Sequence, residues 1–214
     1  PDLRVRFSTS HPKDMTDDVL YAMAKYENLC NYIHLPVQSG NSDVLKRMNR
    51  GYSREWYIKR IEAIHKIIPD CAISTDVISG FCGETDVEHS ETLSLMDFVK
   101  YDFAYMFKYS ERPKTLAERK FEDDVPEEVK SSRLSEIIEK QLKYSLESNK
   151  KRIGLVEKVL IEGESKRSDE HMCGRTSRNS MVVFPKGKGL KGEYVQVKIN
   201  DCTSATLMGE EINH

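Results

Sequence analysis

The sequence predicts an α/β chain: four βα units of an incomplete (β/α) barrel, followed by a small all-β barrel. Three observations predict it. The first two-thirds alternates short apolar runs with amphipathic stretches, the rhythm of parallel βα units. Each apolar run carries polar residues at alternate positions, which gives every strand one hydrophilic face. After a long helical stretch the pattern changes to five short strands split by glycine-rich or charged turns.

The elements follow in order. "LRVRFSTS" reads as a strand with Arg6 and Ser8 on one face. "TDDVLYAMAKYENLC" reads as a helix, with Thr16 at its cap and Asp17 and Asp18 in the first turn. "NYIHLPVQ" is a second strand, where Ile33, Leu35 and Val37 alternate with His34, Pro36 and Gln38. A short helix near Ser42 to Met48 precedes "SREWYIKRIEAIHKII", which is capped by Ser53 and sets Ile58, Ile61, Ile64 and Ile68 at helical spacing. "CAISTDVISGF" is a third strand, with Ser74 and Asp76 on one face. "TDVEHSETLSLMDFV" opens with a capping box from Thr85 to Glu88. "YDFAYMFKYS" is a fourth strand, whose polar face holds Asp102 and Lys108.

A long helix then starts at Pro126, Glu127 and Glu128, carries an apolar stripe of Leu134, Ile137, Ile138 and Leu142, and ends near "NKKR" before Gly154. "GLVEKVLIEG", "HMCGRTS", "SMVVFP", "GEYVQVKIND" and "TSATLMGEEI" are the five short strands, which a closed barrel relieves of exposed edges. The division falls between residues 1–148 and 149–212.

The polar strand faces decide between sheet types. A doubly wound sheet buries aliphatic side chains on both faces, whereas a barrel can aim polar ones into a lumen that holds a ligand. The barrel is therefore the expectation, with His34 and Gln38 facing its interior. Four units do not close an eight-stranded barrel, and Pro1 is not an initiator methionine, so the chain reads as a piece of a longer one.

Bulk properties exclude several classes. With 33 basic and 35 acidic residues in 214, the chain is near neutral. No apolar run reaches the roughly 20 residues of a membrane span, and the start lacks a secretory core. The five cysteines are scattered, without a C-x-x-C group or any local zinc or iron–sulfur spacing, which fits a reducing cytoplasm. From Lys150 to Lys198 basic residues outnumber acidic ones, which points to a nucleic-acid partner, with a solvated surface as the alternative.

Four loops carry candidate chemistry. In "DVISGFCGET", Gly80 and Gly83 allow close backbone approach, and free N–H groups at the helix start can hold a carboxylate or phosphate; a plain βα turn is the alternative. "LPVQSG" places Gln38 at a strand end, where an amide suits an amino acid or ribose, or a structural network. "YSERPKT" offers Arg112 to a carboxylate or phosphate, or to a loop salt bridge. "CGRTSRNSMVVFP" sets Arg175 and Arg178 beside Asn179, with Lys166, Arg167 and Lys186 in nearby turns, a cationic set suited to RNA phosphates and base edges.

Together "RVRFSTSHP", "IHLPVQSGN", "DVISGFCGET" and "YSERPKTLA" resemble, in order, the last four barrel strands of the radical S-adenosylmethionine methylthiotransferases. "GRTSRNSMVVFP" and "CTSATLMGE" resemble that family's terminal TRAM module, an OB-like barrel. Within the family, "GRT" followed by Asn179 and "VVFP" is most similar to enzymes that act on N6-dimethylallyladenosine in tRNA. The resemblance implies a partial radical-SAM barrel and a cytoplasmic, monomeric enzyme with tRNA as partner. Its implied cofactors are S-adenosyl-L-methionine and two 4Fe–4S clusters, one cleaving S-adenosylmethionine to a radical that attacks C2 of the adenosine and one serving the sulfur donor.

By the same resemblance Gln38, Ser74, Asp76, Ile78 and Arg112 contact the cofactor, with Lys108 a further candidate. Lys166, Arg167, Arg175, Arg178 and Asn179 contact RNA. The chain departs from the family in lacking a C-x-x-x-C-x-x-C loop, so alone it is expected to be inactive; Lys114 stands where related loops have glycine. Two alternatives stay open: a methylthiotransferase for a ribosomal protein or threonylcarbamoyladenosine, and a non-catalytic RNA-binding protein.

Overall fold

β-Branched residues at alternate positions favour a pleated strand, and Ile73, Thr75 and Val77 meet that condition in Ala72–Ser79 (β2). The structure, a computed structural model, describes residues 3–6, 8, 11–166 and 168–212. In it β2 is the centre of a three-stranded parallel sheet. Tyr32–His34 (β1) pairs on one side, with His34 opposite Ser74, and Phe103–Lys108 (β3) on the other, from Ser74 opposite Phe103 to Ser79 opposite Lys108. Helices Arg54–Ile67 (α3) and Asp86–Val99 (α4) make the crossovers. Their Tyr57, Ile61, Ile64, Leu95 and Met96 bury one face of the sheet with Ile33, Leu35, Val37, Ile73 and Val77. The other, inner face carries His34, Ser74, Asp76 and Ile78.

The caps match the local chemistry. Ser53 accepts from the Trp56 N–H, and Thr85 and Glu88 close a reciprocal capping box. Asp17–Lys25 (α1) begins after Thr16, whose side chain makes no cap bond. Ser42–Arg47 (α2) is capped instead by Asn41, which accepts from the Asp43 and Val44 N–H groups.

Two strands differ from expectation. In "LRVRFSTS" the described residues make a single parallel bridge, Val5 with Leu29. Arg4 and Arg6 of that segment donate instead to the carbonyls of Arg175, Lys158 and Thr176 in the second barrel, long-range bonds that alternation cannot reveal. The second strand is interrupted after His34, because Pro36 has no N–H for the ladder. The Thr75 hydroxyl bridges the gap, accepting from the Val37 N–H and donating to the Leu35 carbonyl. Pairing resumes at Gln38, bridged to Val77.

Leu116–Lys120 (α5), an element not expected, is capped by Thr115. Glu127–Lys150 (α6) runs as expected into a turn with Gly154 at φ +86°. Its expected apolar stripe, however, is not its buried face: Ile138 and Leu142 are exposed, and the buried positions are Lys130, Arg133, Ile137, Gln141, Tyr144 and Ser145. The surface it covers is lined with acceptors, so polar side chains satisfy it. Arg133 bonds Glu84 and Asp86, Lys130 bonds Asp123, and Gln141 donates to the Tyr101 carbonyl.

The second unit is a closed barrel of Val156–Ser165 (β4), Ser168–Arg175 (β5), Met181–Pro185 (β6), Tyr194–Cys202 (β7) and Thr206–Glu211 (β8), in the order β4-β5-β6-β8-β7. Val159, Ile161, Met172, Val182, Phe184, Val197, Ile199 and Leu207 fill it. A side chain at Gly174 would run into the Leu160 carbonyl of the facing strand, so this position takes only glycine.

Candidate functional site

On the inner face four side chains from two strands form a polar chain, joined by two hydrogen bonds and one His–Asp contact. The Tyr32 hydroxyl and Ser74 Oγ are 2.6 Å apart, and Ser74 Oγ lies 2.8 Å from His34 Nδ1. His34 Nε2 then lies 3.4 Å from Asp76 Oδ1. Parallel register brings them together, since Tyr32 and His34 sit beside Ala72 and Ser74, and Asp76 is one pleat further. Ser74 is fully buried, whereas the Asp76 side chain keeps 28% exposure. With Ser74 held by two partners, the imidazole is oriented from one side and leaves carboxylate acceptor capacity facing outward. Such an arrangement can accept from an ammonium group or a ribose hydroxyl.

Gln38 lies at the strand end with φ +72°, and its N–H and carbonyl bond the Asp76 carbonyl and the Ile78 N–H. A left-handed residue breaks the pleat, so alternation no longer fixes where its amide points. Ile78 is half-buried one pleat beyond Asp76. Arg6, expected beside them, is turned to the Thr176 carbonyl.

The glycine loop is filled by the chain's own carboxylates. Glu84 Oε2 accepts from the Gly80 N–H at 2.8 Å and Asp124 Oδ1 from the Gly83 N–H at 2.6 Å, while Glu88 takes the Thr85 N–H. These are the donors that the sequence offered to a ligand carboxylate or phosphate, so the plain-turn alternative describes the loop. Glu84 is buried, and desolvation raises its carboxyl above the usual range despite Arg133 at 3.0 Å.

The polar face of β3 is a correction of parity. Asp102 and Lys108 do share a side, but it is the helix side: Lys108 pairs with Glu127 of α6, and Asp102 receives Ser148. The inner positions of β3 are Phe103, Tyr105 and Phe107, opposite Ser74, Asp76 and Ile78. Sequence reasoning missed these rings by following charge; their period of two in "FAYMF" was the available signal. Arg112 lies exposed in the loop after β3, where its carbonyl accepts from the Thr115 hydroxyl and no bond of its guanidinium is found among the described residues.

No three of His, Cys, Asp and Glu group to hold a metal among the described residues. Cys30, Cys71 and Cys82 are buried apart from one another, and burial pushes the Cys71 thiol up to about 12. This donor set does not fit an iron–sulfur cluster. No described helix is long and apolar enough to cross a membrane.

Comparison with known proteins matches residues 1–96 to the Radical SAM superfamily and residues 150–212 to the TRAM domain. The tRNA-2-methylthio-N(6)-dimethylallyladenosine synthase of Amoebophilus asiaticus is 60% identical over 211 residues, covering 98% of this chain and 43% of that protein. The synthase of Christiangramia forsetii is 58% identical over 212 residues, 99% of this chain and 44% of its own. The chain is similar to these synthases along almost its whole length. It spans a little under half the length of these relatives. Among solved structures, coproporphyrinogen III oxidase (HemN) from Escherichia coli, a radical SAM enzyme, aligns over 92% of this chain and 46% of its own with a TM-score of 0.55; at 17% identity it speaks for the fold alone.

The TRAM side distributes the expected RNA contacts unevenly. Lys166 is exposed in the β4–β5 turn, and Arg167 lies outside the described residues. Arg175 donates to the Asn179 carbonyl at 2.9 Å and pairs with Glu162 at 3.4 Å; Asn179, at φ +65°, shapes the turn. Lys186 pairs with Glu164. Arg178 is committed elsewhere. It bonds Asp102 at 2.7 Å and Asp70 at 3.0 Å, both just before strands of the parallel sheet. Arg152 joins Asp70 at 3.1 Å to Glu157, and Ser177 accepts from the Asn31 N–H. The GRTSRN turn is therefore a clasp between the units. A cleft of about 740 Å³ opens along this seam, but Arg4, Asp70 and Glu157 in its wall already have partners, and none of the inner-face residues lines it.

Proposed function

We propose that this chain is the carboxyl-terminal part of an enzyme that adds a methylthio group to C2 of N6-dimethylallyladenosine beside the tRNA anticodon, acting in the cytoplasm. The observation that carries the reading is the 60% identity to one such synthase, which runs over 98% of the chain and so through both units. The division at 148/149 separates a radical SAM part from a TRAM part. S-Adenosylmethionine, when bound, supplies the methyl group and the adenosyl fragment for hydrogen abstraction.

The chain's own residues do the positioning. Asp76, oriented through His34, Ser74 and Tyr32, accepts from the cofactor's amine or ribose hydroxyls. Ile78 packs on its adenine, with the Gln38 amide at the rim. Arg112, an unengaged guanidinium after β3, suits the cofactor carboxylate. Lys166 and Arg167, with the partly exposed Arg175, take RNA phosphates. Since the described cysteines do not fit a cluster, no electron-transfer step or sulfur donation is assigned to these residues.

The test is mass spectrometry of tRNA nucleosides after deletion of the gene that encodes this chain. Loss of the 2-methylthio-dimethylallyl nucleoside with accumulation of its unthiolated precursor is the expected result. Loss of a methylthiolated threonylcarbamoyl nucleoside, or of a ribosomal-protein modification, would replace the substrate; an unchanged profile would leave the RNA-binding alternative.

A further inference from the structure

Phe103, Tyr105 and Phe107 are 47%, 50% and 52% exposed, three successive inner positions of one strand. Large apolar side chains are exposed singly on most proteins, but a contiguous row of rings marks a binding surface. The row is ordered. The Phe103 and Tyr105 rings meet edge to face at 4.9 Å, and Tyr105 meets the His34 ring the same way at 5.9 Å. The inner face is therefore graded, polar at His34 and Asp76 and apolar across β3. The strand's cation, Lys108, is turned to the opposite side.

We propose that Phe103, Tyr105 and Phe107 form the specificity surface for the N6 substituent of the adenosine, accepting a branched hydrocarbon and disfavouring a charged group. This rests on the functional reading above and deepens it. A dimethylallyl group has no polar atom to satisfy, and laying its few carbons on the rings is worth roughly a hundredfold in affinity. A carboxylate-bearing substituent on the same rings loses its water and finds no cation on the strand, since Lys108 is turned to Glu127.

The test titrates the 214-residue chain, with its aromatic and histidine resonances followed by NMR, using N6-dimethylallyladenosine, adenosine and N6-threonylcarbamoyladenosine. The expected result is tenfold or greater preference for the dimethylallyl nucleoside, with shifts at Phe103, Tyr105 and Phe107. Tyr105→Ala and Phe107→Ala should bring the ratio of dimethylallyladenosine to adenosine affinity close to one, and Tyr105→Phe should keep it. Equal wild-type affinity for all three, with His34 shifting, overturns this proposal and leaves the nucleoside reading standing. Preference for the threonylcarbamoyl nucleoside overturns both the proposal and the assigned substrate. If no nucleoside moves any inner-face resonance, both fall, and the rings are a surface that other polypeptide covers.

Discussion

Arg178 of the second barrel donates to Asp102, the residue before β3, at 2.7 Å, and the same guanidinium reaches Asp70 before β2 at 3.0 Å. The clasp thus grips the amino ends of two strands whose middles carry Asp76 and Tyr105. Its side chain is only 12% exposed, so these are not freely solvated pairs. Arg178→Ala leaves Asp102 with the Ile73 N–H and the Ser148 hydroxyl but no cation, and the expected loss is roughly 1–3 kcal/mol of stability. Calorimetry reads the loss, and limited proteolysis should open the chain between α6 and β4. A variant as stable and as resistant as the parent would remove the clasp.

RNA affinity separates the clasp from the turn beside it. The Lys166→Ala/Arg167→Ala double variant should lower the slope of log K against log salt by roughly 0.7–0.9 per lost phosphate contact. Arg178→Ala, engaged with carboxylates rather than phosphates, should leave the slope unchanged. A flatter slope in Arg178→Ala, with none in the double variant, would exchange the two roles.

Lys114 holds φ +68°, a conformation that glycine adopts without strain. Its backbone bonds, from its N–H to Glu118 Oε2 and from Arg119 to its carbonyl, survive loss of the side chain. Lys114→Gly should therefore stabilise the loop by roughly 0.5–1 kcal/mol, net of the entropy that glycine adds to the unfolded chain. A fall in melting temperature would show that the lysine side chain does something here that the backbone does not.

These cases mark where the sequence was legible. Alternation alone put His34, Ser74 and Asp76 on one face, because regular strands obey it and register did the rest. It does not decide Gln38, where a left-handed residue ends the pleat, and it was misapplied at β3, where charge drew attention to the helix side while the rings lay inside. The α6 stripe misled for a related reason: helical periodicity counts apolar residues, and this helix buries Arg133 and Gln141 against acceptors contributed from distant segments, and Lys130 against Asp123 in the loop before it. Arg178 illustrates the same limit, since its carboxylates are 76 and 108 residues away in sequence.

Gly40 lies two residues beyond Gln38, at the end of "LPVQSG", and packing explains it. A Cβ there would lie 2.5 Å from Thr92 Cα and 2.7 Å from the Glu91 carbonyl oxygen, both backbone atoms of α4. Gly40→Ala must push the helix away and should cost roughly 1–3 kcal/mol or more. Urea unfolding checks it; a neutral result would mean that α4 can shift without penalty.

The Arg133–Glu84 pair sets a pH dependence whose sign is fixed by burial. Glu84 is 5% exposed, and desolvation raises its folded pKa above the unfolded value despite the Gly80 N–H and the Arg133 guanidinium. The folded state then binds more protons, so this group's contribution falls as pH rises from about 4.5 through the folded pKa, and recovers as pH is lowered. Arg133→Met strands the ionised carboxylate with its N–H partner alone and should cost roughly 3–5 kcal/mol near neutral pH. The loss should shrink as the solution is acidified and the carboxyl takes up a proton. Glu84→Gln added to Arg133→Met should recover much of the stability and abolish this part of the pH dependence. Stability measured by urea unfolding from pH 4 to 8 decides it: a pH-independent loss in Arg133→Met, unrelieved by Glu84→Gln, would mean that the arginine acts through packing and its bond to Asp86 rather than by balancing a buried charge.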